Sequence, residues 1–369
     1  MRPTWADIDL AAVAHNAAAL QAMAHPAMLC AVVKADGYGH GAVPVARAAV
    51  DAGADWLAVA TVEEGRALRG SGLTTPILLL SEPAPPEMIE VVDADLRPTV
   101  YTGEGLAAAA AAAQQRDARL AVHLKVDTGM HRVGAAPDQI PMLAQAIADK
   151  PSLDLEGVWT HCAVADELDS GYTDVQLDRF DRVVAELRAA GHHPRLCHAA
   201  NSAVTIAHPR GRYDMVRCGI ALYGVPPADS LRSMIDLVPA MSVRSHVSMV
   251  KTVAAGERVS YGQRWEAPVD TVVATVPIGY ADGIRRRLNR VGGEVLIGGR
   301  RRSIAGTVTM DQLLVDCDAD STVTAGDEVV LIGRQDDEEI TANEVAAKLD
   351  TIGYEVVCDI ESRVPRRYR

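Results

Sequence analysis

Lys34 stands at the end of an apolar run, Met28 to Val33, and opens the glycine-rich stretch that continues to Gly41. An amine delivered by a buried strand is partly desolvated. Desolvation disfavours the ammonium and makes the amine a usable nucleophile for a Schiff base. Tyr38 follows between Gly37 and Gly39, where a phenol can reach an anion such as a phosphate ester. Read alone, the run also describes a strand ending in a solvated lysine, because short glycine motifs recur by accident. More polar residues stand where other apolar runs stop. Lys125 and Arg132 flank a glycine-rich loop, His161 follows Val158 and Trp159, Asn201 and Ser202 follow His198, and Arg217 precedes Gly219 and Ile220.

The elements that must place these residues alternate. Strand-like runs at Met28 to Val33, Trp56 to Ala60, Pro76 to Leu80, Arg97 to Val100, Leu120 to Val126, Leu155 to Thr160, Arg195 to Ala199 and Tyr213 to Arg217 are separated by segments of helical period. The alanine run from Ala107 to Ala113 is a strong helix former. Apolar strands with intervening helices indicate a parallel sheet covered on both sides. About eight such units predict an α/β fold with an N-terminal (β/α)8 TIM-type barrel, with an open doubly wound sheet as the alternative. In such barrels the loops after the seventh and eighth strands commonly bind phosphate, and Ser202, Gly219 and Ile220 fall there. From Asp229 to Pro239 the pattern changes, and strand signals dominate at Val243 to Val253, Val269 to Val276, Val295 to Ile304, Gln312 to Val315 and Glu328 to Ile332. Gly298 and Gly299 read as a hairpin turn, and Ala342 to Leu349 as a helix. This predicts a mainly antiparallel β C-terminal domain, with boundaries at 10–230 for the barrel and 231–369, joined by the N-terminal strand 1–9, for the β domain.

Composition narrows the function. The 369 residues are 49% hydrophobic but only 4% aromatic, so the core is built from Ala, Val, Leu and Ile. A net charge of −13 argues against nucleic acid and anionic membranes as partners. Arg285 to Arg287 and Arg300 to Arg302 read as solvated faces or interfaces. No stretch approaches the ~20 apolar residues of a membrane span. The N-terminus lacks the apolar core of a signal peptide, which predicts a cytoplasmic protein. The 6 cysteines are scattered, with no CxxC pair, and read as buried thiols in a reducing compartment. His192, His193 and His208 show no metal spacing, so no metal is expected.

Taken together, the segments around Lys34, Lys125, His161, Ser202 and Arg217 resemble the PLP-dependent alanine racemases. The resemblance runs from Pro3 to Arg366. In the second part it is carried by Val259 to Gly262, Ile278 to Gly283, Met310 to Gln312 and Thr351 to Glu355. It implies pyridoxal 5'-phosphate (PLP) as cofactor, held by Lys34 as a Schiff base, with Tyr38, Asn201, Ser202, Gly219, Ile220 and Tyr354 around the phosphate. Arg217 would face the pyridine nitrogen. A carboxylate there would keep the ring protonated and strongly electron-withdrawing, whereas arginine cannot accept a proton. The carbanion is then less delocalised, which favours reprotonation at Cα over transamination.

Racemisation needs a base on each face of a planar intermediate, and the resemblance assigns these to Lys34 and Tyr261. A free phenol titrates near pH 10, so Tyr261 needs help from neighbours such as His161 and Arg217. In the family the matching tyrosine reaches the neighbouring subunit, which implies a homodimer with shared active sites. Arg132 would contact the cofactor and the substrate carboxylate, Met310 would bind the carboxylate through its backbone, and Tyr280 and Tyr354 would narrow the entrance to favour alanine. Lys125 matches a lysine that is carbamylated in many relatives. His131 and Cys162 depart from the family's usual residues, but neither is a proposed chemical group. The implied activity is interconversion of L- and D-alanine, supplying D-alanine for peptidoglycan. The alternatives are a racemase for serine or a basic amino acid, a PLP-dependent decarboxylase, which Arg217 disfavours, and a non-enzymatic PLP-binding protein, which the second domain disfavours.

Overall fold

Runs of Val, Leu, Ile and Ala too apolar to alternate form strands buried on both faces, and these strands build the larger part of the chain. The computed structural model describes residues 2–319 and 321–369. The chain divides into two units, one comprising Val13–Gly37 and Ala42–Val238, the other Met1–Ala12, Tyr38–Gly41 and Pro239–Arg369. Strand β1 (Thr4–Ile8) belongs to the latter. The former contains β2 (Met28–Val32), β3 (Trp56–Val59), β4 (Ile77–Leu79), β5 (Thr99–Val100), β6 (Leu120–Lys125), β7 (Leu153–Trp159), β8 (Leu196–His198) and β9 (Met215–Cys218).

All neighbouring pairs among β2–β9 are parallel, in the orders β4-β3-β2-β9 and β5-β6-β7-β8. Two seams close the ring. A parallel bridge joins Leu78 to Arg97, and the amides of Asp214 and Arg217 donate to the carbonyls of Cys197 and Ala200 at 3.0 and 2.9 Å. The result is the expected (β/α)8 barrel. Its low aromatic content is met by close packing of small side chains. Four alanines of the Ala-rich helix Gly103–Gln115 (Ala109, Ala110, Ala112 and Ala113) are buried.

The other unit is mainly antiparallel. Its further strands are β10 (Met241–His246), β11 (Met249–Val253), β12 (Arg258–Val259), β13 (Trp265–Glu266), β14 (Thr271–Val276), β15 (Glu294–Ile297), β16 (Arg300–Ser303), β17 (Leu313–Asp316), β18 (Glu328–Gln335), β19 (Glu338–Ile340) and β20 (Arg366–Tyr368). One sheet runs β16-β15-β18-β10-β1-β20, and another β11-β14-β17. The turn at Gly298 and Gly299 has positive φ at both residues, 62° and 67°, as a tight hairpin of the right twist requires. The run Val243 to Val253, expected as one strand, is two. At Val247 the amide donates to Asp327 and at Ser248 to Thr275, so the chain crosses from one sheet to the other between them. Arg302 also differs from expectation. Alternation along β16 turns it inward, where it is buried and donates to the Cys317 carbonyl at 2.7 Å. Cys358 is exposed, while the other five cysteines are buried.

Candidate active site

Strand β2 delivers Lys34 half-buried at the carboxyl-terminal end of the barrel. The chain then makes a left-handed turn, with φ of 52° at Ala35, 50° at Asp36, 62° at Gly37 and 51° at Tyr38. Non-glycine residues adopt this conformation at a cost of about 1–2 kcal/mol each. Specific bonds hold it. The Glu64 carboxylate, which also caps the helix Val62–Gly70, accepts from the Ala35 amide at 2.6 Å, and the Asp36 carboxylate accepts from the Ala42 amide at 2.8 Å. The turn places Lys34 by strain that its neighbours overcome.

Around the same barrel end, Lys125 closes β6 and lies 3% exposed, its Nζ 4.2 Å from the centre of the Trp159 ring. Arg217, on β9, sits 4.5 Å from that ring and is also 3% exposed. Among the described residues no carboxylate grips its guanidinium. Its Nη2 donates to the carbonyls of Thr160 at 2.8 Å and Ala199 at 3.2 Å, and its Nη1 meets His198 Nδ1 at 2.9 Å. The third contact of Nη2 is His161 Nδ1 at 3.3 Å. Arginine has no acceptor, so Nδ1 of both histidines must be the unprotonated nitrogen. Burial, with the positive charges of Arg217, Arg132, Lys125 and Lys34, pushes His161 well below the ordinary imidazole range, so it is neutral. Burial together with Arg217 and Arg132 brings Lys125 down to about 7 despite Asp127. Burial lowers Arg217 to about 10, so it remains a cation at neutral pH.

Asn201, Ser202 and Gly219 are among the residues expected around a phosphate. Asn201 caps the helix Ser202–Ala207, its Oδ1 accepting from the Val204 amide at 3.0 Å. The Ser202 hydroxyl oxygen accepts from the amides of Gly219 at 3.0 Å and Ala221 at 3.4 Å. The Gly219 N–H, expected to face a phosphate, is therefore given to Ser202, and the serine O–H proton is the group left to donate to an anion.

In the unit that holds the β domain, one loop organises the remaining expected residues. Thr307 Oγ1 donates to the Tyr261 carbonyl at 2.9 Å, and the Ser260 hydroxyl donates to the Thr307 carbonyl at 2.6 Å. Farther along the same loop, the amides of Tyr280 and Ala281 donate to the carbonyls of Thr309 and Met310 at 2.9 and 3.0 Å. Tyr261, Tyr280 and Met310 are thus tied to a single segment. They are 69%, 41% and 52% exposed, so all three present side chains at the surface of this chain. Buried Asp282 braces the loop. It accepts from the Gly279 amide at 2.8 Å and pairs with Arg2 and Arg363, the latter also bonding Asp311 at 2.7 Å. Tyr38 and Tyr354 lie with ring centres 6.4 Å apart. Burial and the neighbours Tyr354 and Cys358 raise the Tyr38 phenol, which keeps it a neutral donor.

The barrel therefore gathers the charges of Lys34, Lys125, Arg132 and Arg217 around a neutral His161. Arg132 itself is exposed on its loop. The sequence reading missed Trp159, His198 and His123 as parts of this arrangement. Their signal was present, since a histidine inside an apolar barrel strand must face a polar partner. No group of His, Cys, Asp or Glu suited to a metal occurs among the described residues.

Comparison with known proteins agrees with this geometry. A family model described as alanine racemase, N-terminal domain, matches residues 8–227, and one described as alanine racemase, C-terminal domain, matches residues 240–368. The chain is 50% identical over 370 residues to an alanine racemase of Symbiobacterium thermophilum, covering 100% of this chain and 97% of that one. It is 42% identical to that of Desulfovibrio desulfuricans, covering 100% and 98%. Among solved structures, the alanine racemase from the D-cycloserine producer Streptomyces lavendulae superposes with a TM-score of 0.94 at 40% identity, covering 100% and 97%. The Bacillus anthracis enzyme with bound L-Ala-P superposes at 0.93 and 38% identity, covering 100% and 95%.

Proposed function

The chain belongs to the alanine racemase family and is an isomerase that interconverts L- and D-alanine, and we propose that it does so with two bases, Lys34 and Tyr261, on opposite faces of a PLP cofactor. The observation that carries this reading is Arg217, a buried guanidinium held by imidazole and carbonyl groups rather than by a carboxylate. The residues present fit the cofactor. Lys34, Lys125, Arg132 and Arg217 concentrate positive charge at one barrel end, with Asp127 the carboxylate that opposes it at Lys125. A phosphate and a phenolate oxygen answer that excess. When bound, PLP supplies the electron sink that makes the alanine Cα proton acidic.

In this reading Lys34 anchors the cofactor through its amine and, once released, takes or returns a proton at Cα on one face. The Ser202 hydroxyl, the Ile220 amide and the hydroxyls of Tyr38 and Tyr354 hold the phosphate, with Gly219 and Asn201 shaping the cradle. Arg217 donates toward the ring nitrogen and cannot protonate it fully. Arg132 and the backbone N–H of Met310 hold the alanine carboxylate, and Tyr280 limits the side chain to a methyl group. Tyr261 serves the other face. Because His161 accepts from Arg217 at Nδ1, its Nε2–H is left to donate to the phenolic oxygen of Tyr261 of the partner subunit. The surface position of Tyr261 and Met310 in one chain supports this division of the site across a homodimer. We place the enzyme in the cytoplasm, and its D-alanine in peptidoglycan assembly. No described helix is long and apolar enough to cross a membrane.

Two tests belong here. In an Arg217→Glu variant the carboxylate keeps the ring nitrogen protonated, so racemisation slows and transamination competes, the alanine amino group passing to the cofactor and pyruvate appearing at up to one equivalent per site. Unchanged partitioning would remove Arg217 from this role. Lys125 is the proposed carbamate site, whose anion would orient Arg132. Its amine, held at about 7, is increasingly unprotonated as pH rises through neutrality. With 13C-labelled CO2, a carbamate resonance is expected to grow from pH 6 to 8 and to vanish in Lys125→Met.

A further inference from the structure

Arg217 is the first member of a buried row of polar groups that crosses the barrel interior. Its Nη1 meets His198 Nδ1 at 2.9 Å, His198 Nε2 meets His123 Nδ1 at 2.9 Å, and His123 Nε2 lies 3.4 Å from Glu156 Oε2. That last contact is an ion-pair distance without hydrogen-bond alignment. Glu156 in turn pairs with Arg195 at 2.6 Å and Arg97 at 3.2 Å. Both histidines are 0% exposed, and Glu156 5%. The polarity of the row is dictated from its first member. Arg217 can only donate, so His198 Nδ1 must accept and its Nε2 must carry the proton. His123 Nδ1 must then accept as well, and its proton sits on Nε2, the nitrogen nearest Glu156.

Two features of the barrel exist to accommodate this row. Strand register between β6 and β7 slips between Val122 and His123, so that Val122 pairs with Leu155 and His123 with Gly157, leaving Glu156 as the extra, bulged residue. Bulges beside functional sites commonly re-aim one side chain. Gly157 has no conformational need to be glycine, yet a Cβ there would sit 2.4 Å from His123 Nδ1. The strand gives up a side chain so that the buried imidazole fits.

We propose that His198, His123 and Glu156 are positioning residues for the racemase reaction, the carboxylate fixing from the far end of the barrel the tautomers that hold Arg217 in place. The inference rests on the reading of Arg217 as the group that faces the cofactor's ring nitrogen. Glu156 is paired with Arg195 and Arg97 at the opposite end, so it acts on the site only through the row. Burial lowers both histidines, consistent with two neutral rings each carrying one proton.

The test uses the full-length enzyme labelled with 15N-histidine, with and without PLP. Two rings protonated at Nε2 only are expected for His123 and His198 in both states. A proton on Nδ1 of either ring overturns the proposal. In Glu156→Gln the amide can donate as well as accept, so the two rings are expected to become mixtures of tautomers. The absorbance of the bound cofactor is then expected to shift, and kcat to fall on the order of tenfold with KM for alanine unchanged, the scale of loss when a partner behind a site ligand is altered. A merely structural Glu156 would lower stability and leave tautomers and absorbance alone, which overturns the proposal. Arg217→Lys separates the two readings. If it shifts the absorbance and Glu156→Gln does not, the row is refuted while Arg217 keeps its role. If neither shifts it, both fail.

Discussion

Substituting Lys34 by alanine is expected to lower racemisation by about 10³-fold or more, the combined cost of a covalent anchor and a positioned base. The residue stands half-buried directly after β2, and a left-handed turn spanning three non-glycine residues holds the chain that follows it. Lys125, by contrast, is 3% exposed and packed over Trp159 at 4.2 Å. Borohydride reduction of wild-type protein with PLP should fix the cofactor on the peptide containing Lys34. The variant should retain PLP only through the phosphate cradle and lose it on gel filtration. Cofactor fixed elsewhere, or turnover within tenfold of wild type, would move the anchor to another residue.

The second large effect is expected from Tyr261→Phe. Loss of one positioned base costs about 10²–10⁴-fold. The ring is kept and only the hydroxyl is removed, so a loss of rate with the dimer intact on gel filtration reports chemistry. The informative readout is asymmetry. Lys34 remains on its own face, so one alanine enantiomer should still exchange its Cα proton with D2O while the other does not. Equal slowing of both would assign Tyr261 to binding or packing. A His161→Phe variant should weaken exchange on the same face as Tyr261→Phe, because the imidazole's Nε2–H is the donor left for that phenol.

The barrel was legible because its strands are buried on both faces and contain almost nothing but Val, Leu, Ile and Ala, as in Trp56–Val59 and Ile77–Leu79. The second unit was legible only in outline. Its sheet switch at Val247 and Ser248 leaves no mark, since both strands continue a β-rich run, and the short β20 (Arg366–Tyr368) carries no apolar pattern because it is an exposed edge. At the site, the residues that meet a ligand were readable from their places at strand ends and from resemblance. The groups behind them were not. His198 and His123 announce a buried polar partner by standing in apolar strands, but which groups they meet, and the place of Trp159 beside them, emerge only when the barrel closes. The same closure gives the Gly219 amide to Ser202, a bond between residues 17 apart in the chain that no local pattern announces.

With two bases, the proton leaves Cα to one side chain and returns from another. Protiated L-alanine in D2O, sampled before the first few per cent of conversion, tests it directly. Two bases on opposite faces predict that the earliest D-alanine carries deuterium at Cα in full, with no protium carried across. D-alanine that retains its original Cα proton would show a single base serving both faces and would contradict the account.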